Sequence, residues 1–193
     1  MAYQTYTTPA FVCGSWTQNG ADKTFLLYTK SLGMVYATAR SVREERSKQR
    51  YALQDFAEVH VSLVRGRAGW RIGSVIDVSQ PYRRAADRAA RGSIVRLFRL
   101  LRRFVSGSEA STELYELVVA AIELLVQSDV QCRELVEDCV AFRILHHLGY
   151  VAPTAPLRGI LEGSLAQLDC DIPVSVQESI QLAIAQAEDL SHL

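Results

Sequence analysis

The hydrophobic pattern of this chain changes its period once, at Gln80-Pro81-Tyr82. Upstream of this point apolar and polar residues tend to alternate, which is typical of β-strands. Downstream the apolar residues recur every three or four positions, which is typical of helices with one buried face. The sequence therefore predicts a β domain at residues 1–80 and an α-helical domain at residues 81–193.

Five segments of the first domain have the length and alternation of strands, and turn residues such as Gln18-Asn19-Gly20 separate them. The predicted strands are Phe11–Trp16, Lys23–Thr29, Met34–Arg40, Phe56–Val64 and Trp70–Val78. Five short strands with no clear helix among them predict a small β-barrel. The fold class predicted for the whole chain is therefore α+β, with the barrel first and the helices after it.

The second domain contains four or five segments of helical period, which together predict a compact bundle. They are Arg83–Val105, Glu113–Gln127, Gln131–Leu148, Arg158–Leu168 and Ser175–Leu190. One face of the first helix is apolar and predicted to be buried, through Ala86, Ala90, Ile94, Leu97, Leu101 and Phe104. The opposite face carries arginines, namely Arg84, Arg88, Arg91, Arg99 and Arg102.

The formal net charge is zero, but the two signs are separated along the chain. Residues 1–103 carry 18 Lys and Arg against 7 Asp and Glu, a net charge of +11. Residues 104–193 carry 3 against 14, a net charge of −11. Two surfaces of opposite sign indicate two kinds of partner, or one surface that restrains the other.

A basic loop, residues 40–50, lies between the third and fourth predicted strands and is expected to face water. Its cations are Arg40, Arg43, Arg46, Lys48 and Arg50, and only Glu44 and Glu45 oppose them. Clustered cations favour a polyanion, because each cation that meets a phosphate releases condensed counterions. The alternative interpretation is a solvated run of charge with no ligand.

Aromatic side chains in the first domain are candidates for stacking on nucleic-acid bases. They are Trp16, Tyr28, Tyr36, Tyr51 and Trp70. A small barrel needs large side chains inside, so most of them are expected to belong to the core. Tyr51, beside the basic loop, and Trp70, in a turn flanked by Arg65, Arg67 and Arg71, are the two predicted to stack.

Several short motifs occur in an order and spacing that resemble the DNA repair protein RecO family over about 150 residues. They are Gly20-Ala21-Asp22-Lys23, Tyr28-Thr29-Lys30-Ser31-Leu32-Gly33, Ala39-Arg40-Ser41-Val42-Arg43, Ala52-Leu53-Gln54-Asp55-Phe56 and the helix end Phe142–Tyr150. Two positions depart from the family pattern, since Ser41 replaces a glycine and Asp55 replaces a proline. Because of these departures, the basic loop could have a different conformation here from that in the family.

The resemblance implies that the barrel is an OB-fold and that the protein acts in recombinational repair. Such a protein binds single-stranded DNA, anneals complementary strands and helps to load recombinase, together with a RecR-like protein and single-strand-binding protein. The competing hypothesis is a protein-interaction adaptor on the same scaffold that does not bind DNA.

The resemblance also implies that the acidic, apolar-ended tail of single-strand-binding protein docks on the helical domain. Such a ligand needs an apolar pocket rimmed with cations. The acidic C-terminal half offers few cations for such a rim. The predicted rim residues are therefore Arg99, Arg102, Arg103 and Arg143.

Some family members carry a four-cysteine zinc module after the Gly-Tyr helix end, and this chain lacks its pattern. Cys13, Cys132, Cys139 and Cys170 are scattered, with no histidine at ligand spacing, so no metal or other cofactor is predicted.

Catalytic motifs such as a nucleophile elbow, a phosphate loop or a zinc-protease helix are absent, which predicts a protein that is not an enzyme. The N-terminal residues lack the pattern of a signal peptide, and the apolar stretches are too short to span a bilayer. We therefore expect a cytoplasmic protein with reduced thiols.

Overall fold

The computed structural model describes residues 4–17, 20–107, 109–165 and 171–190. The chain forms two compact units. The barrel unit contains the residues up to Arg83 together with Ser106–Thr112, and the helical unit contains Arg84–Val105 and the residues from Glu113 onward.

Five strands close the barrel unit in the order β1-β2-β3-β5-β4. They are β1 (Thr5–Thr17), β2 (Lys23–Thr29), β3 (Gly33–Ala39), β4 (Glu58–Gly66) and β5 (Gly69–Ser79). Neighbouring strands are antiparallel except β3 and β5, which are parallel. This is the strand order of an OB-fold, so the predicted five-stranded barrel is confirmed.

Strand β1 is longer than the sequence predicts because two neighbours share it. Its first half pairs with β4, and its second half pairs with β2. The register shifts between Val12 and Gly14, a bulge of the kind that bends a strand from one partner to the next. Residues 5–10 become a strand through their long-range pairing with β4, which local alternation does not reveal.

The barrel interior is filled by alternate residues of the strands. Phe25 and Leu27 of β2 point inward, as do Val59, Val61 and Leu63 of β4. Because successive side chains of a strand point to opposite faces, the residues between them face outward.

The basic loop begins after β3, and its first residues are fixed to the β1–β2 turn by hydrogen bonds. Ser41 donates its backbone N–H to an Asp22 carboxylate oxygen at 2.8 Å. Arg43 donates its backbone N–H to the Ala21 carbonyl at 3.1 Å and its Nη1 to the Gly20 carbonyl at 2.8 Å. Past its tip, the short helix α1 (Gln49–Ala52) leads towards β4.

Ser41 has a φ of 50°, in the left-handed region that favours glycine. The backbone conformation that a glycine would supply at this position is therefore present, and serine adopts it while Asp22 holds its N–H. Serine at this position is therefore compatible with the turn.

Substitutions at Ser41 test this strain. We expect Ser41→Gly to be at least as stable as the wild type in urea unfolding, and Ser41→Val to be less stable by about 1–2 kcal/mol, because a β-branched residue resists a left-handed φ. A valine variant as stable as the glycine variant would contradict the conformation described for this turn.

The segment Ser106–Thr112 returns to the barrel unit and packs against the β2–β3 turn. Met34 donates its backbone N–H to the Gly107 carbonyl at 3.1 Å. A Cβ at Gly33 would lie 2.6 Å from the Glu109 carbonyl oxygen, and Gly33 also has a φ of 64°. Only glycine fits both this conformation and this close approach of the backbone.

The rest of the chain is helical, and the predicted bundle is confirmed. Its helices are α2 (Pro81–Arg84), α3 (Arg88–Phe104), α4 (Thr112–Gln127), α5 (Arg133–His147), α6 (Arg158–Leu161) and α7 (Val174–Leu190), with a 3-10 turn at Ala155–Leu157. The predicted helix Arg158–Leu168 is a single turn, because the chain becomes extended at Glu162; its residues 166–168 lie outside the described ranges. Phe104, Cys139, Phe142 and Ile180 belong to the shared core.

The predicted helix Arg83–Val105 is interrupted, because Asp87 caps a new helix. Asp87 has extended backbone angles, and its carboxylate accepts the Ala90 N–H at 2.7 Å. The break shifts the buried face, so that Ala85 is buried and Ala86, predicted to be buried, is exposed. A good N-cap residue has therefore overridden the continuous apolar period.

Asp87 also pairs with the buried Arg133. Two Arg133 nitrogens each lie 3.1 Å from a different Asp87 carboxylate oxygen, and Arg133 donates a further hydrogen bond to the Ser128 carbonyl at 3.0 Å. The Ala90 N–H, followed by Arg133, lowers the pKa of Asp87 below its usual range. One carboxylate thus begins α3 and neutralises a buried cation of α5.

Two variants separate these roles. Asp87→Ala loses both and should have the lowest melting temperature at pH 7, whereas Asp87→Asn keeps a capping oxygen but loses the ion pair and should lie between it and the wild type. Because the folded-state pKa is lowered, the stabilisation is complete above the unfolded-state pKa and is lost as the pH falls through the folded-state pKa. The difference in melting temperature between the wild type and Asp87→Ala should therefore become smaller in acid. A difference that does not depend on pH would contradict the role of the Asp87 carboxylate.

The cysteines differ in state. Cys13 and Cys139 are buried thiols outside any disulfide bond, and burial raises the pKa of the Cys139 thiol to about 11. Cys132, expected to be a reduced thiol, is disulfide-bonded, and Cys170 lies outside the described residues.

No helix in the described ranges has both the length and the apolar character that crossing a membrane requires. The same residues contain no group of three or more His, Cys, Asp or Glu side chains arranged to hold a metal ion.

Candidate nucleic-acid interface

Two large aromatic side chains lie side by side on the outside of the barrel. Trp16 of β1 is 47% exposed and Tyr36 of β3 is 62% exposed. Their ring centroids are 5.8 Å apart, with planes inclined at 44°. Two neighbouring exposed rings form an apolar patch on the barrel surface, and exposed apolar patches are candidate interaction sites.

The strand register explains why this pair faces outward. Thr24 of β2 pairs with Trp16 on one side and with Thr38 on the other, and the two threonine hydroxyls are 3.4 Å apart. Thr38 also pairs with Arg71 of β5. We call the surface formed by Trp16, Thr24, Tyr36, Thr38 and Arg71 the aromatic face.

The sequence did not single out Trp16 and Tyr36 as stacking residues. For Tyr36 a signal was present, since it alternates with Val35 and Ala37, which belong to the core. For Trp16 the signal was misleading, because strict alternation from the buried Val12 would put it inside. The register shift between Val12 and Gly14 reverses that direction.

The basic loop adjoins the aromatic face, because it starts immediately after β3. All five of its predicted cations are exposed. Arg43 is anchored to the β1–β2 turn, and the Arg50 guanidinium carbon lies 5.2 Å from the ring centroid of Tyr51. Tyr51, predicted to stack on bases, is 65% exposed.

The β4–β5 turn supplies further positive charge. Arg65 and Arg67 are exposed and Arg71 is half-buried. Trp70, the other predicted stacking residue, is half-buried against the barrel core. The Trp70 and Tyr6 rings meet edge-on, with their centroids 5.4 Å apart. The Arg65 guanidinium carbon lies 4.9 Å from the centroid of the Trp70 ring. Trp70 is therefore held by packing on several sides and is less available than Trp16 or Tyr36.

A second candidate site is a cavity of about 330 Å³ within the helical unit. Its apolar lining comes from Leu97, Leu100, Leu125, Val140, Ala141 and Ile184. Of the four predicted rim cations, Arg99 and Arg103 line this cavity, together with Arg96. Arg102 is exposed and is not part of the lining.

Carboxylates already neutralise part of this rim. Arg96 donates to Glu137 from Nε at 2.5 Å and from Nη2 at 2.6 Å, which raises the pKa of Arg96. Arg103 donates to the Glu188 carbonyl, and its Nη1 lies 4.0 Å from a Glu188 carboxylate oxygen. Arg99 forms no ion pair with any residue in the described ranges, so it is the rim cation most available to an anionic ligand.

Arg143, the fourth predicted rim cation, is a structural residue. It is buried, and its guanidinium donates to the carbonyls of Ile160 at 2.6 Å, Gly163 at 3.0 Å and Glu162 at 3.3 Å. Burial lowers its pKa. Because the guanidinium is used to fasten the backbone at the end of α6, the prediction that Arg143 rims a peptide site is wrong.

In comparisons with known proteins, no protein-family model matched the chain, and no curated protein matched it significantly. The resemblance to the RecO family therefore stays a prediction. Function has to be inferred from the residues of the two candidate sites.

Proposed function

We propose that this protein binds single-stranded DNA across the aromatic face and promotes the pairing of complementary strands in recombinational repair. The observation that carries the proposal is the exposed Trp16–Tyr36 pair beside the basic loop. Aromatic rings offer stacking surfaces to unpaired bases, and nearby cations offer contacts to the phosphates between those bases. The resemblance to the RecO family supplies the repair context.

Strand pairing of this kind needs no covalent chemistry. Two single strands repel each other through their phosphates, and a surface of exposed cations lowers that repulsion by counterion release. Arg40, Arg46 and Lys48 suit this role, because they are exposed. Single strands are preferred over duplex because the rings stack only on bases that are not already stacked within a helix.

The helical unit is proposed to dock the acidic tail of single-strand-binding protein in its apolar cavity. The apolar lining suits the terminal apolar residue of such a tail, and Arg99 suits a carboxylate. A RecR-like partner follows from the family resemblance alone.

The DNA proposal is tested by separating stacking from charge. Trp16→Ala and Tyr36→Ala should each weaken binding of a labelled oligothymidylate by roughly 1–3 kcal/mol with little change in salt dependence. Replacing the five loop cations by alanine should instead flatten the plot of log affinity against log salt, by about 0.7 for each phosphate that is no longer neutralised. Fluorescence anisotropy over a range of salt concentrations measures both.

Tyr82→Ala is the matched control, because it removes a partly exposed ring outside the strands that form the aromatic face. If a folded variant without Trp16, Tyr36 and the five loop cations binds DNA as tightly as the wild type does, the aromatic face and the basic loop are not the DNA-binding surface. If the wild type itself does not bind DNA, the adaptor hypothesis takes the place of the DNA proposal.

The docking proposal is tested with a labelled acidic peptide that ends in an apolar residue. Arg99→Glu should weaken its binding at least about tenfold, since it replaces a charge-assisted hydrogen bond with repulsion. Arg102→Glu is the matched control on the same helix and should have little effect. Glu188→Gln should strengthen binding, because it removes a carboxylate that repels the acidic peptide at the rim. Equal effects of Arg99→Glu and Arg102→Glu would show that general charge, and not the cavity, binds the peptide.

A further inference from the structure

The barrel unit contains a second cavity, of about 230 Å³, whose charge is entirely of one sign. Its lining includes three cations, Lys23, Arg43 and Arg50, and no carboxylate. The cavity of the helical unit differs, since Glu137, Asp138 and Glu188 accompany its arginines. Like charges around one cavity repel each other, and a bound anion removes that cost.

The three cations are held in position by neutral groups. Arg43 donates to the Gly20 carbonyl at 2.8 Å, and Arg50 lies over the Tyr51 ring. Lys23 Nζ lies 5.9 Å from the Phe25 ring centroid and donates to the Ser15 hydroxyl at 3.4 Å. That hydroxyl in turn donates to Asp55 at 3.3 Å, so Asp55 is linked to Lys23 only through Ser15.

None of these three cations forms an ion pair with a residue in the described ranges. Their positive charge is thus available to a ligand, and the Arg43 guanidinium is oriented before the ligand arrives by its hydrogen bond to the Gly20 carbonyl. Both conditions favour anion binding, because less conformational entropy is lost on association.

The size of the cavity limits the ligand. Since one water takes about 30 Å³ in the liquid, the cavity of about 230 Å³ has room for a phosphate group and part of its sugar. It is smaller than the roughly 300–1,000 Å³ usual for pockets that enclose a whole organic ligand.

The cavity and the Trp16–Thr24 part of the aromatic face lie at the same end of β2. Lys23 directly precedes Thr24, which is the register partner of Trp16. Because successive side chains of a strand point to opposite faces, a DNA strand whose bases stack on Trp16 and Tyr36 reaches the cavity by crossing the end of β2, where one of its phosphates can enter.

We propose that this cavity binds one phosphate group of the single strand and that Lys23, which the sequence analysis did not select, is one of its ligands. The inference rests on the proposed function and adds to it a defined anchoring point. The phosphate is either the monoester at a strand end or an internal diester, and the experiment separates these two sources.

The test compares Lys23→Gln with Lys30→Gln. Both changes remove one positive charge, and Lys30 lies just beyond the other end of β2. Lys23→Gln should weaken binding of an oligothymidylate about tenfold, the lower end for a charge-assisted hydrogen bond, and reduce the salt slope by about 0.7. Lys30→Gln should change neither by much, and Lys23→Arg should restore most of the affinity.

Two oligonucleotides of one length, with and without a 5′-phosphate, identify the source. An equal loss for both in Lys23→Gln indicates an internal diester, and a larger loss for the phosphorylated one indicates the strand end. If the folded Lys23→Gln variant binds both oligonucleotides with wild-type affinity, the proposal of a phosphate pocket is wrong. This holds even where Trp16→Ala and Tyr36→Ala still weaken binding. Failure of the wild type to bind either oligonucleotide overturns the pocket and the proposed function together.

Discussion

The surface of the barrel depends on the pairing of β1 with two neighbours. To close the barrel, β1 has to leave β4 and continue along β2, and the register shift between Val12 and Gly14 accompanies that change. The shift also reverses which side chains point outward, so the strand that seals the core through Val12 exposes Trp16 only four residues later. Closure of the fold and creation of the aromatic face thus have one cause.

The two units use positive charge in different ways. In the helical unit, Arg96 and Arg133 pair with carboxylates, and Arg143 is bound by backbone carbonyls, so these cations contribute to the packing of helices. In the barrel unit, Lys23 and Arg50 have no carboxylate partner among the described residues. Unpaired cations contribute little to folding but attract an anionic ligand over roughly a Debye length. The charge asymmetry of the sequence did not reveal this difference, because Arg96 belongs to the basic residues 1–103 and yet lies in the helical unit.

The sequence predicted the parts of the structure that depend on residues close together in the chain. The five strands and the main helices follow from the spacing of apolar residues. Helix α5, predicted to end at Leu148, ends at His147, and Gly149 follows with a φ of 80°. Long-range partners have no such signature. Nothing near Arg143 in sequence shows that the carbonyls of Ile160 to Gly163 surround it, and nothing near Trp16 shows that a register shift turns it outward. Asp87 is a residue type that often caps helices, but the continuous apolar period across it predicted one uninterrupted helix.

The proposed contacts also explain how one surface can both hold a strand and release it to its complement. Stacking on Trp16 and Tyr36 uses the faces of bases, and Lys23 with the basic loop uses the phosphates. Neither contact occupies the hydrogen-bonding edges that a second strand must reach. A surface that read those edges would have to be displaced before pairing, whereas this one can keep its phosphate contacts while the edges pair. Exposed, individually weak contacts are therefore better suited to strand annealing than a deep base-reading pocket would be.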